Sequence, residues 1–79
     1  MVKPTRLTNR IRTLRFLHDE MTQAELAERL GVTRQTVIAI EKGRYSPSLE
    51  VAFRIARVFD VPLTDVFAYP EEGTDADDR

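Results

Sequence analysis

The chain has 79 residues, 12 of them Lys or Arg, 13 Asp or Glu, one His and no Cys, which supplies one small core rather than two and excludes a disulfide scaffold, a thiolate metal site and a cysteine nucleophile. His18 alone leaves a zinc site or a His-based dyad without partners, and with no long apolar run and no apolar leader in Met1 to Thr8, a cytoplasmic, reducing setting is expected. The net charge of −1 conceals 9 basic and 5 acidic residues in 1–44 against 3 and 8 in 45–79, so it does not exclude a polyanionic partner.

Apolar residues recur at helical spacing and nothing alternates with period two over a useful length, so five short helices are predicted, an all-α fold. The first covers Leu7 to His18, with Leu7, Ile11, Leu14 and Leu17 as its buried stripe and Arg6, Arg10, Arg12 and Arg15 around it. The second has the clearest start. Thr22 and Glu25 have the spacing of a capping box, and Met21 and Leu26 that of a hydrophobic staple. Ala27 and Leu30 complete its inner face, and Gly31 is a left-handed stop.

Thr33 caps the third helix, Val37 and Ile40 face inward, and Gly43 ends it. Tyr45-Ser46-Pro47 is a loop, because proline disfavours helix in the residue before it. Ser48 caps the fourth helix, Leu49 to Phe59, whose stripe of Leu49, Ala52, Ile55, Ala56 and Phe59 is widened by Val51, Phe53 and Val58. Val61-Pro62 turns the chain into a fifth helix, Leu63 to Ala68, anchored by Val66 and Phe67. Residues 1–69 form the predicted domain and carry a charge of +3, whereas 70–79 carry −4. Ala76 is the one apolar residue between Glu71 and Asp78, so this acidic tail is expected to be disordered.

The second and third helices suit a helix-turn-helix. Ala27 permits close approach, Gly31 makes the turn, and the second helix braces the third so that the outer face of the third stays free. With Val37 and Ile40 inward, Gln35, Ile38, Ala39 and Lys42 point away and Arg34 lies on the flank. Arginine matches guanine O6 and N7, glutamine matches adenine N6 and N7, and small apolar groups touch the thymine methyl.

The run TQAELAERLGVTRQTVIAIEKGRYSPSLEVAFRIARVFDVPLTDVF resembles the phage-repressor, Cro-like (xenobiotic-response-element) family of helix-turn-helix regulators, which have a five-helix lambda-repressor-like domain. The likeness covers about Asn9 to Tyr69. It implies that Arg34, Gln35, Ile38 and Ala39 contact bases. Thr36, Lys42, Arg44 and Ser46 would hold the DNA backbone, and Gln23 would contact a phosphate and brace the recognition helix. Arg15 and Glu41 match a buried structural ion pair of the family. The chain departs from the pattern twice: the segment between Arg15 and Thr22 is one residue longer, and Asp60 stands where glycine is common.

The function expected from this resemblance is a sequence-specific transcriptional regulator of repressor type that binds double-stranded DNA as a homodimer on a palindrome. Val58, Val61, Leu63, Val66, Phe67 and Tyr69 either pair two copies or close the monomer core. The alternative is an antitoxin-type interaction module that also binds its own promoter. No Ser–His–Asp set, metal cluster or phosphate-cradling glycine loop supports an enzyme, and no cofactor, membrane or small-molecule ligand is implied.

Overall fold

The computed structural model describes residues 5–70. The expectation of a disordered acidic tail therefore concerns residues that, apart from Pro70, lie outside the described residues. The order of elements is β1 (Thr8–Asn9), α1 (Ile11–Leu17), α2 (Gln23–Leu30), α3 (Arg34–Glu41), α4 (Leu49–Phe59), α5 (Leu63–Val66) and β2 (Phe67–Ala68). Among the described residues no helix is long and apolar enough to cross a membrane.

The middle of the chain folds where its end signals stand. The Thr22 hydroxyl accepts from the Glu25 amide at 3.0 Å while the Glu25 carboxylate accepts from the Thr22 amide at 2.8 Å. Thr33 and Ser48 cap α3 and α4 in the same way, accepting from the amides of Thr36 and Val51. These contacts satisfy amide donors that a helix start leaves without a partner.

Three helices end alike. After α2, Gly31 at φ 74° donates to Glu28, and Val32 donates to Ala27. Gly43 at φ 71° and Arg44 close α3 onto Ile40 and Ala39. Asp60 at φ 57° and Val61 close α4 onto Arg57 and Ala56. Each pair of bonds is a Schellman motif, which needs a left-handed residue.

The core collects Ile11 and Leu14 from α1, Met21, Leu26, Ala27 and Leu30 around α2, Val37 and Ile40 from α3, Ile55, Ala56 and Phe59 from α4, and Val66 from α5. Met21 and Leu26, the expected staple, are both buried.

Four expectations need correction. The first helix begins at Ile11 rather than Leu7, because Thr8 and Asn9 are extended and pair antiparallel with Ala68 and Phe67. For the same reason α5 stops at Val66 rather than Ala68. Leu17, placed in the buried stripe by its spacing, is 68% exposed: it is the last residue of α1, and the chain turns away after it. Leu49 is 69% exposed and Phe53, one turn on, is also exposed, because the core takes Ala52, Ile55, Ala56 and Phe59 and leaves the 49–53 edge of α4 open.

Candidate nucleic-acid interface

The turn between α2 and α3 is set by backbone geometry. Gly31 alone supplies the positive φ, and an added β-carbon there would meet only ordinary contact with the Arg54 guanidinium. The site therefore needs glycine for its conformation rather than for space. Ala27 is buried on α2, which packs against α3, and Val37 and Ile40 fix the inward side of α3.

The opposite side of α3 is accessible. Arg34 and Gln35 are exposed at its N-terminal turn, and Lys42 is exposed just past its end. Ile38 and Ala39 are half-buried rather than fully outward. Thr36 is half-buried and shares its hydroxyl with that of Thr33 at 3.0 Å. Arg44 and Ser46 are exposed in the loop that follows.

Gln23, Arg34 and Lys42 converge on one cleft, which Asn9, Arg12, Arg15, Glu20 and Glu41 also line. Arg44 and Ser46 lie outside it. Its electrostatics follow from one contact. Arg15 Nε donates to Glu41 Oε2 at 2.6 Å and Arg15 Nη2 to Glu41 Oε1 at 3.2 Å, so the carboxylate is gripped side-on. Arg15 Nη1 also donates to the Met21 carbonyl at 2.8 Å. Gln23 Nε2 completes the group by donating to Glu41 Oε1 at 3.2 Å. With Glu41 matched by Arg15, the cations Arg12, Arg34 and Lys42 face one remaining acid of the cleft, Glu20. None of those three cations forms an ion pair among the described residues. The cleft is positive, as a phosphate-bearing surface requires.

The longer segment before Thr22 leaves this group intact. Asp19 and Glu20 both take positive φ, 57° and 53°, and the Met21 amide donates back to the Arg15 carbonyl at 2.9 Å. The extra residue is absorbed as a widened helix end, and Arg15 keeps its place opposite Glu41.

Asn9 was not singled out by the sequence. Its Oδ1 accepts from the Ile11 amide at 3.1 Å while its Nδ2 donates to the carbonyls of Ile40 and Glu41 at 3.1 and 3.4 Å. One side chain thus serves the start of α1 and the end of α3. Its position just before the first core residue was the available signal, since asparagine is favoured at helix starts. Nearby, the Thr5 amide donates to the Gly43 carbonyl at 3.2 Å, tying the N-terminal segment to the turn after α3.

Of the six residues considered for pairing two copies, Val66 is 1% exposed and belongs to the monomer core, which removes it from any intermolecular surface. Val58, Val61, Leu63 and Phe67 are partly buried against that core, whereas Tyr69 is exposed.

The helix-turn-helix family profile matches residues 14–66, the stretch that runs from α1 to α5. An uncharacterized HTH-type transcriptional regulator of Methanocaldococcus jannaschii is 50% identical over 66 residues, covering 84% of this chain and 98% of its own. The cryptic phage CTXphi transcriptional repressor RstR of Vibrio cholerae is 35% identical over 68 residues, 86% of this chain and 60% of that repressor. The crystal structure of the hypothetical transcription factor NHTF from Neisseria matches with a TM-score of 0.64 at 26% identity, over 84% of this chain and 75% of that one. The turn at Gly31, the free side of α3 and a family match that contains both lead to one conclusion: the chain belongs to the XRE-type helix-turn-helix family of DNA-binding transcriptional regulators, and not to an enzyme family.

Proposed function

We propose that the protein is a repressor that inserts α3 into the major groove of a palindromic operator and binds as a twofold dimer. The observation that carries this reading is the division of α3 into a side buried by Val37 and Ile40 and a side that exposes Arg34 and Gln35 at its N-terminal turn. Recognition helices of this motif present their N-terminal residues to base edges. Arg34, Gln35, Ile38 and Ala39 read bases, and Gln23, Thr36, Lys42, Arg44 and Ser46, together with Arg12, hold the sugar–phosphate backbone. The 35% identity to a phage repressor supports the direction of regulation.

The dimer follows from reach: one short helix reads few base pairs, so two copies about 34 Å apart are needed for a specific site. The surface that suits pairing is the open edge of α4 with the groove beside it. Leu49 and Phe53 stand out from α4, and Leu49 borders a hollow lined by Leu7, Pro47, Ala52, Leu63 and Phe67. Phe53 sits in a neighbouring groove whose rim carries Glu50, Arg54, Arg57 and Asp60, two charges of each sign, which a second copy can meet in reverse order. Selection of binding sites from random duplex DNA tests the reading. A short inverted repeat is expected; an asymmetric site, or no enrichment at low salt, would overturn it.

A further inference from the structure

Five acids, Glu71, Glu72, Asp75, Asp77 and Asp78, lie in the nine residues that follow Pro70, with Arg79 as their one opposing charge. The described part of the molecule separates its charges by face. Arg12, Arg34 and Lys42 line the cleft beside α3, with Glu41 already held by Arg15. Outside the cleft, Arg29, Arg54 and Arg57 are accompanied by acids, whereas Arg10 and Arg44 are exposed without an ion pair among the described residues. Arg29 shares a hollow with Asp19, Glu25 and Glu28. Arg54 donates to Glu50 at 3.1 Å and to the Leu30 carbonyl, and Arg57 shares a groove with Asp60. An acidic segment tethered to this domain therefore meets a net positive surface at the α3 cleft and mixed or negative surfaces around Arg29, Arg54 and Arg57.

The connectivity brings the segment to that cleft. Ala68 pairs with Thr8, and three residues back along the chain, before that strand, Thr5 donates to Gly43 just past the end of α3. The chain that leaves at Pro70 thus departs from the side of the molecule where the N-terminal segment is tied to the turn after α3. Nine residues span up to about 30 Å when extended, longer than an eight-residue helix. Tethering at this range gives a local concentration of about 1 mM or more.

We infer that residues 71–79 dock in the basic cleft of the same molecule and compete there with DNA phosphate. The inference rests on the DNA-reading role of this face only for its consequence; the docking exists or fails without DNA. Non-specific duplex, held by phosphate contacts alone, loses most to such a competitor, whereas an operator that adds base contacts displaces it. The tail would therefore sharpen discrimination rather than block binding.

The test uses the full chain and a variant carrying Glu71→Gln, Glu72→Gln, Asp75→Asn, Asp77→Asn and Asp78→Asn. Amide chemical shifts of the two, recorded without DNA at low salt, should differ at Arg12, Gln23, Arg34, Lys42 and their neighbours. The differences should not depend on protein concentration and should fade at high salt. Affinity for an arbitrary duplex of about 20 base pairs should rise by about five- to tenfold in the variant at about 50 mM salt and by less than about twofold at 300 mM. Unchanged shifts at the cleft would overturn the docking, even if affinity rose, since a rise alone reflects net charge. Shifts that grow with concentration would assign the occupant to a second copy and overturn the intramolecular form. Cleft shifts with no duplex binding by either protein would leave the docking standing and remove the DNA-reading role instead.

Discussion

At Asp60 the chain takes the left-handed conformation with a β-carbon in place, φ 57° and ψ 46°. Aspartate tolerates this region better than most residues, but glycine occupies it without strain. Asp60→Gly should therefore raise unfolding free energy by about 0.5–1 kcal/mol, read from chemical denaturation with the slope unchanged. Arg15 and Glu41 present the opposite case. Their side chains are 14% and 9% exposed, so removing one partner strands the other in a poorly hydrated place. Arg15→Met should cost about 2–4 kcal/mol, somewhat less than for a fully buried pair. The double change Arg15→Met with Glu41→Met should recover most of that loss; a double variant as unstable as the single would show that the bonds to Met21 and Gln23 dominate. On the reading side, Arg34→Ala and Gln35→Ala should each relax base preference at one operator position by about 1–3 kcal/mol, measured by competition among single-base variants of the site. Equal loss on every sequence would reassign both residues to phosphate contact.

Among the elements, α2, α3 and α4 were legible because their signals act over three or four residues. Thr22, Thr33 and Ser48 each bond an amide three positions on, and Gly31 and Gly43 stop helices through their own φ. Such effects are local and survive in the sequence. The β1–β2 ladder was not legible, since two-residue strands leave no alternation to detect and their partner lies about sixty residues away. The same holds for Asn9, whose role depends on the approach of α3 to the start of α1. Leu17 and Leu49 were misplaced for a related reason: periodicity assigns a face, but whether a neighbour covers its last turn is decided by the packing of other elements. For the interface, the outward face of α3 followed from periodicity, whereas the half-burial of Ile38 and Ala39 and the entry of Arg12 into the cleft did not. The α2–α3 turn gives a direct check. Gly31→Ala should cost about 1 kcal/mol through backbone strain alone, and Gly31→Asn less, as seen by thermal unfolding. Equal losses would point to a steric cause that the open space at Gly31 does not provide.

At the scale of the whole molecule, binding energy to DNA divides between charge and shape. On the proposed reading Arg12, Lys42 and Arg44 give about three phosphate contacts per copy, so a bound dimer should show a slope of about −5 in log affinity against log salt, and a monomer about −3. Fluorescence anisotropy on an operator duplex between 50 and 300 mM salt would separate the two. The ladder that joins the two ends of the described chain bears on this face as well. Besides the pairing of Thr8 and Asn9 with Ala68 and Phe67, it has the Thr8 hydroxyl on the Ala68 carbonyl and the Arg10 amide on Val66. So short a zipper opens at far lower cost than the helical core does. Every such fluctuation slackens Asn9 and with it the hold on the carbonyls of Ile40 and Glu41, while Thr33 keeps the opposite end of α3 anchored. Amide hydrogen exchange should then run along α3 as a gradient, slow at Val37 and fast by Gly43, so that on the proposed reading the end bearing Arg34 and Gln35 is stiff and the far end can adjust to the curvature of the duplex.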